Sequence, residues 1–332
     1  MQDKNVTVTI GDKKYSVLKG TTLEKIKDEF YSESKAIVVA AYVNNEIREL
    51  TYPVNEDCNI SFIDLSIADG GRIYERSLTF LLIKAFHDMF PDDTIEICHS
   101  VNKGLFFECS VRDLNEDHVQ KIEDRMRELV EMDLPFEKKT MPVEEAKQLF
   151  LKKNRLDKYG VIKYREKPYV TFYKFDDTED YFYGFMVPSS GYLKLFRLEY
   201  DDGGIVLISP KITNPNTIEE HDIPKKLFQI FSEYRQWVNI LGVDNVGKLN
   251  DIVEAGKADE FIRISEALHE KKIARIADMI AERKDRVKVI LIAGPSSSGK
   301  TTFAQRLSIQ LRVNGLVPVN ISTDDYFVEK DK

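Results

Sequence analysis

The sequence predicts an α+β chain of several domains, and three observations predict it. The first 65 residues alternate apolar and polar positions around short turns before opening a capped helix. The middle of the chain passes from amphipathic helices to strands dense in aromatic residues. Near the C-terminal end an apolar run leads into a glycine-bounded turn and then a helix-compatible stretch. A length of 332 residues asks for two or three domains. Hydrophobic content of 42% with 31% charged residues describes a soluble globular chain with ample core material.

Composition also excludes function classes. A net charge of −8 argues against strong nonspecific nucleic-acid binding, while leaving local basic surfaces open. The three cysteines, Cys58, Cys98 and Cys109, form no C-x-x-C pair and suit a reduced compartment. The N-terminus is polar and strand-like, unlike a signal peptide, and no apolar run approaches membrane-spanning length. The expected setting is the cytoplasm, with no membrane partner.

Residues 1–66 read as a first domain. Val6, Val8 and Ile10 alternate with Thr7 and Thr9, and Gly11-Asp12 turns the chain toward Tyr15 and Val17, a hairpin pattern. Thr21 with Glu24 forms a capping box for a helix carrying Leu23, Ile26 and Phe30 inward. The run Ala36 to Val43 ends at the turn signal Asn44-Asn45, and short strands near Ile47 and Ile60 complete the unit. Order and pattern resemble a TGS domain, the ubiquitin-like β-grasp module of threonyl-tRNA synthetases and some GTPases.

Gly70-Gly71 marks the next boundary. Arg72 to Phe90 carries Leu78, Leu81, Leu82, Ala85, Phe86 and Met89 at helical spacing and stops before Pro91. Strands are expected at Thr94–His99 and Leu105–Val111, and helices over Glu116–Met132 and from Pro142 toward Leu151. Further strands are expected at Tyr169–Phe175, Tyr181–Val187, Leu193–Tyr200 and Ile205–Ile208. The aromatic density there points to sheet core rather than a base-stacking platform.

This block, 67–212, resembles the editing module shared by threonyl- and alanyl-tRNA synthetases. The resemblance rests on Met89-Phe90-Pro91-Asp92, on the stretch from Pro142 to Phe150, and on Val187-Pro188-Ser189-Ser190-Gly191. The resemblance implies an H-x-x-x-H pair on the first helix and a C-x-x-x-H pair on a later strand–loop. Those positions hold Arg76 and Phe80, then Phe182 and Met186. Phe and Met supply no acid, base or ordinary zinc ligand and would fill the pocket with apolar volume. No two of the five histidines are four apart. The expectation is an editing fold without a zinc or hydrolytic site. Cys98-His99 invites a metal reading, but neighbouring strand residues point to opposite faces, so a core thiol and a surface imidazole are expected.

Residues 213–285 read as a helical linker. Leu227, Ile230, Phe231 and Trp237-Val238 give one helix an aromatic face, another helix begins near Leu249-Asn250, and a longer one covers Asp259 to Arg286. His269 lies on that long helix with no catalytic partner in view.

Residues 286–332 carry the most specific motif. Val287 to Ala293 reads as a strand, Gly294-Pro295-Ser296-Ser297-Ser298-Gly299-Lys300-Thr301 fits the P-loop pattern, and Thr301 to Arg312 reads as a helix. The backbone N–H groups of such a loop cradle phosphate at a helix N-terminus. Lys300 would reach the β/γ oxygens and Thr301 would help hold Mg²⁺. A second strand, Leu316 to Ser322, would complete a βαβ unit and bring Asp324 and Asp325 toward the loop. The stretch through Thr302, followed by Ser322-Thr323-Asp324-Asp325-Tyr326-Phe327, resembles the uridine kinase and phosphoribulokinase family. The resemblance implies ATP or GTP with Mg²⁺, Asp324 as catalytic base, with Asp325 the competing assignment, and Tyr326 and Phe327 near the nucleoside. Only about 45 residues follow Arg286, against ~100 or more for a usual domain, so the kinase part is expected to be incomplete and inactive as it stands.

The domain order resembles bacterial multidomain uridine kinase-like proteins, which implies phosphoryl transfer to the 5′-hydroxyl of a pyrimidine nucleoside in a full-length protein. The alternative is a noncatalytic nucleotide- or RNA-binding regulatory protein related to the N-terminal domains of threonyl-tRNA synthetases. Residues 1–65 hold 8 basic against 11 acidic side chains, which weakens RNA binding by charge alone. The ligand of residues 1–212 and the oligomeric state are left open.

Overall fold

The N-terminal alternation becomes a hairpin, β1 (Asn5–Ile10) against β2 (Lys13–Leu18), in a computed structural model that describes residues 5–101, 104–153, 155–201, 203–219 and 225–326. The two-residue β3 (Thr21–Thr22) leads into α1 (Leu23–Phe30). The helix cap is Thr22, whose hydroxyl accepts from the Lys25 N–H at 3.4 Å. Thr21, the expected cap, instead donates to the Leu18 carbonyl at 2.7 Å, and Glu24 accepts from the Tyr192 hydroxyl rather than closing a capping box. The chain continues through β4 (Val38–Val43), β5 (Glu46–Glu49), β6 (Pro53–Val54) and β7 (Cys58–Asp64). Asn44 and Asn45 between β4 and β5 both take positive φ, 50° and 66°, as a two-residue hairpin turn requires. The five-stranded sheet runs β2-β1-β7-β4-β5, with β1 and β7 parallel and the other pairs antiparallel.

The helix that follows, α2 (Ala68–Met89), starts four residues earlier than its apolar spacing suggests. Gly70 and Gly71, where a boundary is expected, both lie in its first turn. A Cβ on Gly70 would sit 2.0 Å from the Asp64 carbonyl oxygen, so the missing side chain lets the helix turn directly off β7. Around α2 pack β8 (Ile95–Val101), β9 (Gly104–Cys109) and α3 (Glu116–Glu131), then β10 (Phe136–Pro142), α4 (Val143–Lys152) and α5 (Leu156–Lys163). The remaining strands are β11 (Tyr169–Phe175), β12 (Thr178–Asp180), β13 (Arg197–Asp201) and β14 (Gly204–Ile208). They form two antiparallel sheets, β10-β11-β12 and β13-β14-β9-β8.

No strand forms over Tyr181–Val187. Beyond Asp180 the backbone is irregular because its polar groups are claimed by side chains rather than by a ladder. Arg76 donates to the Phe185 carbonyl, Met186 N–H to Glu49, and Val187 N–H to the Ser77 hydroxyl. The strict opposition expected of Cys98 and His99 also fails, because a β-bulge shifts the register between Ile97 and His99. His99 stacks on Phe231 of α6 (Lys225–Leu241) at 4.3 Å, and Cys98 accepts from Arg235 of the same helix. The aromatic face of α6 therefore covers this sheet. After α6 comes α7 (Val246–Glu254). A Cβ on Gly160 of α5 would lie 3.0 Å from the Gly247 Cα, and one on Gly247 2.8 Å from the Gly160 Cα, so two glycines make a backbone-to-backbone crossing.

The chain divides into two units, Met1–Gly247 and Lys248–Lys332, with the division inside the segment expected as linker. In the second unit α8 (Ala258–Ala281) packs on α9 (Lys300–Val313) through Ile273, Ala277, Leu307 and Leu311. Gln310 donates to Glu270 and Asn314 to Asp278, each at 2.8 Å. The apolar runs on either side of α9 are not strands, and the expected parallel βαβ unit is not formed. Leu291 is 89% exposed and Val317 and Val319 are 83% exposed. Strand conformation is held by a ladder, and among the described residues no strand pairs with either run.

One ionic knot fastens α2 to the β11–β12 turn. The buried Lys84 ammonium lies 2.7 Å from Asp88, 2.6 Å from Asp177 and 3.2 Å from Asp176. Burial opposes its charge, but the hydrogen bonds to these acids outweigh that and raise its pKa, while Lys84 holds the Asp177 carboxyl below its usual range. Lys84→Ala is expected to lower unfolding free energy by about 1–3 kcal/mol at neutral pH. A carboxyl with a depressed folded pKa stabilises above its unfolded pKa and loses that contribution as pH falls through the folded value. The gap between wild type and variant in urea unfolding should therefore shrink below pH ~4.

Candidate functional site

Two regions collect the residues singled out by sequence, one in each unit. In the first unit the four editing-type positions do come together. Phe80 on α2 faces Phe182 with ring centroids 5.0 Å apart, and also meets Phe136 and Phe175, each at 5.9 Å. Phe136 and Phe175 stack on each other at 4.5 Å. Phe80 and Met186 are almost completely buried. Apolar rings therefore occupy the space that the resemblance reserves for ligating and proton-transferring side chains.

Arg76 is held beside them by a 2.8 Å hydrogen bond to the Phe185 carbonyl. Gly184, at φ +117°, passes so close that a Cβ there would lie 2.7 Å from the guanidinium carbon. Burial pushes the Arg76 pKa down from its ordinary value, yet a guanidinium has no base to offer near neutral pH. The arrangement positions backbone; it does not supply a nucleophile.

Sequence reasoning missed Glu49, which reaches from β5 into this region. It accepts from the Tyr173 hydroxyl, from Met186 N–H at 3.2 Å and from Lys138 at 3.3 Å. It also missed the charged group brought by α5. Asp180 is almost completely buried, with Arg155 at 3.6 Å and Lys158 at 3.5 Å, and Lys158 lies 5.8 Å from the Phe182 ring centroid. Burial, with Arg155 nearby, lowers the pKa of His87. Helix α5 is short and not clearly amphipathic, so no periodic signal announced these residues. Among the described residues no group of three or more His, Cys, Asp or Glu side chains could hold a metal ion.

In the second unit, Gly294 to Gly299 form the turn before α9. Gly299 adopts φ +82° and Ser297 φ +60°, both left-handed. A Cβ on Gly294 would lie 2.7 Å from the Ser298 hydroxyl oxygen, so the loop closes tightly on itself. The Ser298 N–H donates to the Pro295 carbonyl at 3.3 Å. No side chain caps α9, whose first residue is Lys300, leaving the N–H groups of Lys300, Thr301 and Thr302 at an uncapped helix start. Lys300 folds back to donate to the carbonyls of Gly294 and Pro295 at 2.8 and 2.7 Å. Ser296, Thr301 and Thr302 are exposed. Asp324 lies in the short helical turn Thr323–Tyr326, where its N–H donates to the Ser322 hydroxyl at 3.3 Å. Asp325 shares that turn, and Phe327 lies outside the described residues.

The aromatic cluster gives a direct test of packing. Phe80→Ala should cost about 3–5 kcal/mol of unfolding free energy, because three neighbouring rings cannot all collapse into the space left. Denaturant unfolding of variant and wild type measures the difference.

No protein-family model matches the chain. Curated relatives do. The threonine–tRNA ligase of Acetivibrio thermocellus is 25% identical over 181 residues, covering 54% of this chain and 28% of the relative. That of Fusobacterium nucleatum is 30% identical over 163 residues, 48% of this chain and 26% of the relative. That of Halorhodospira halophila is 30% identical over 162 residues, 48% and 25%. The chain thus spans about a quarter of the length of these relatives. About half of it is similar to threonine–tRNA ligases, and these comparisons give no support to a kinase assignment for the remainder.

Proposed function

We propose that the chain is a nucleotide-binding regulatory protein whose front region derives from a synthetase editing scaffold without retaining its chemistry. The contact of Phe80 with Phe182 carries this reading: where hydrolysis needs a polar pair, two aromatic rings pack at 5.0 Å. The mixed five-stranded sheet over residues 5–64 supports a β-grasp module at the front, and the similarity to threonine–tRNA ligases supports the same descent. A nucleotide, or RNA bound by shape rather than by charge, is the ligand class that fits such a module. A cytoplasmic setting belongs to the same reading; among the described residues no helix is long and apolar enough to cross a membrane. Mischarged threonine-type tRNA incubated with the protein should show no deacylation above background. Measurable, metal-sensitive turnover would overturn the loss of editing chemistry.

A second reading is favoured by the loop geometry. The left-handed Gly299, the uncapped start of α9 and the inward-folded Lys300 suit a nucleoside triphosphate, ATP or GTP. In that reading Lys300 exchanges its loop carbonyls for β/γ-phosphate oxygens. Thr301 would help hold Mg²⁺, and Asp324 would accept the proton of an attacking 5′-hydroxyl on a pyrimidine nucleoside. Lys300→Ala should weaken binding of a fluorescent ATP analogue by at least about tenfold, in line with losing one charged phosphate contact. In a full-length protein assayed with ATP and a nucleoside panel, Lys300→Ala and Asp324→Asn should each lower turnover by about 10²-fold or more. Phosphorylation that survives both changes excludes these roles.

A further inference from the structure

A cleft of the first unit shares no lining residue with the aromatic cluster. It has a volume of about 670 Å³, within the usual range for small-molecule sites. Its apolar wall is made by Ile37, just before β4, by Val130 near the end of α3, and by the Tyr192 ring. Its polar lining is Glu131, Asp133 and Lys194.

Three parts of this lining are held in place. Tyr192 donates to Glu24 at 2.5 Å and accepts from Lys27 at 3.2 Å, which ties the cleft wall to α1. Asp133, at φ +50°, accepts through one carboxylate oxygen from the Ser189 hydroxyl and from the Gly191 N–H, the latter at 3.0 Å. Arg127 fixes the backbone at Lys194 by donating to its carbonyl at 2.9 Å.

The charge pattern selects the ligand. The cleft borders the C-terminal end of α3, whose last turn carries no basic side chain. Glu131 and Asp133 add two carboxylates at the same end, against the single ammonium of Lys194. A phosphate or other polyanion is disfavoured by that balance. A primary ammonium is favoured at the acidic end, and one carboxylate can face Lys194. The apolar wall then takes an uncharged body between them.

We propose that this cleft binds a free α-amino acid with an apolar side chain. The ammonium lies at the α3 terminus with Glu131 and Asp133, the carboxylate at Lys194, and the side chain against Ile37, Val130 and Tyr192. The site shares no residue with the nucleotide loop, and Tyr192 places its occupancy at the junction between the N-terminal sheet region and the α2–α3 layer.

Calorimetric titration of the whole chain with each of the 20 amino acids tests the assignment. Saturable binding of at least one apolar amino acid is expected, and its amide and N-acetyl derivatives should bind at least about tenfold more weakly, as for loss of one charged contact. Lys194→Ala should weaken the acid and bring it level with the amide, and Glu131→Gln should weaken both. Both side chains are exposed, so neither change should unfold the protein, which circular dichroism checks. No saturable binding up to about 10 mM, a weak limit for a small ligand, overturns the proposal. Binding indifferent to both substitutions, or equal for free and N-acetylated amino acids, overturns it as well.

Discussion

The front of this protein depends on burying one helix on more than one side. Helix α2 hides Ile73, Tyr74, Leu78, Phe80, Leu81, Leu82, Ala85 and Phe86 together with the polar Ser77, Thr79 and Lys84. Such a helix is stable only if its polar groups find partners away from water. Ser77 and Thr79 return to the carbonyls of Ile73 and Glu75, and Lys84 gathers acids from its own helix and from the β11–β12 turn. The N-terminal sheet, α3 and β11 all pack against this helix. The filled aromatic pocket follows from the same requirement: Phe80 sits on a face of α2 that has to be dry.

This requirement favours apolar side chains in the groove between α2 and the segment after Asp180. A pair of polar side chains in such a groove needs hydrogen-bond partners and water access. Phe and Met at these positions have no such need and add contact area. Arg76 keeps a polar character but spends it on the Phe185 carbonyl, at the edge of the aromatic cluster. The backbone path from Asp180 to Val187 is then fixed from outside by Arg76, Ser77 and Glu49, rather than by strand pairing.

Much of the front was legible because its signals are local. The alternation of Val6, Val8 and Ile10, the Asn44-Asn45 turn and the spacing along α2 and α3 each appear where the chain pattern placed them. The gathering of positions 76, 80, 182 and 186 was legible through family resemblance. What local pattern could not supply was partnership. Strand β10 contains Glu137, Lys138 and Lys139, reads as polar, and exists because β11 pairs with it. The runs 287–293 and 316–322 show the converse: strongly apolar and β-branched, they stay unpaired because strand structure is not a property of a segment alone. The bulge at Cys98 and His99 escaped for a related reason, since one extra residue in a ladder reverses which face a side chain takes.

The Gly160–Gly247 crossing bears on how this chain can change length. There Gly160 and Gly247 approach backbone to backbone, so a one-residue slip would bring Val246 or Lys248 to a contact with no room for a side chain. The polypeptide is pinned there like a rope at a cleat. An insertion at Val246, just before Gly247, would shift this contact, and one inside α6 would break the hold of Phe231 and Arg235 on His99 and Cys98. The register at which the chain leaves the first unit is thus set by two glycines.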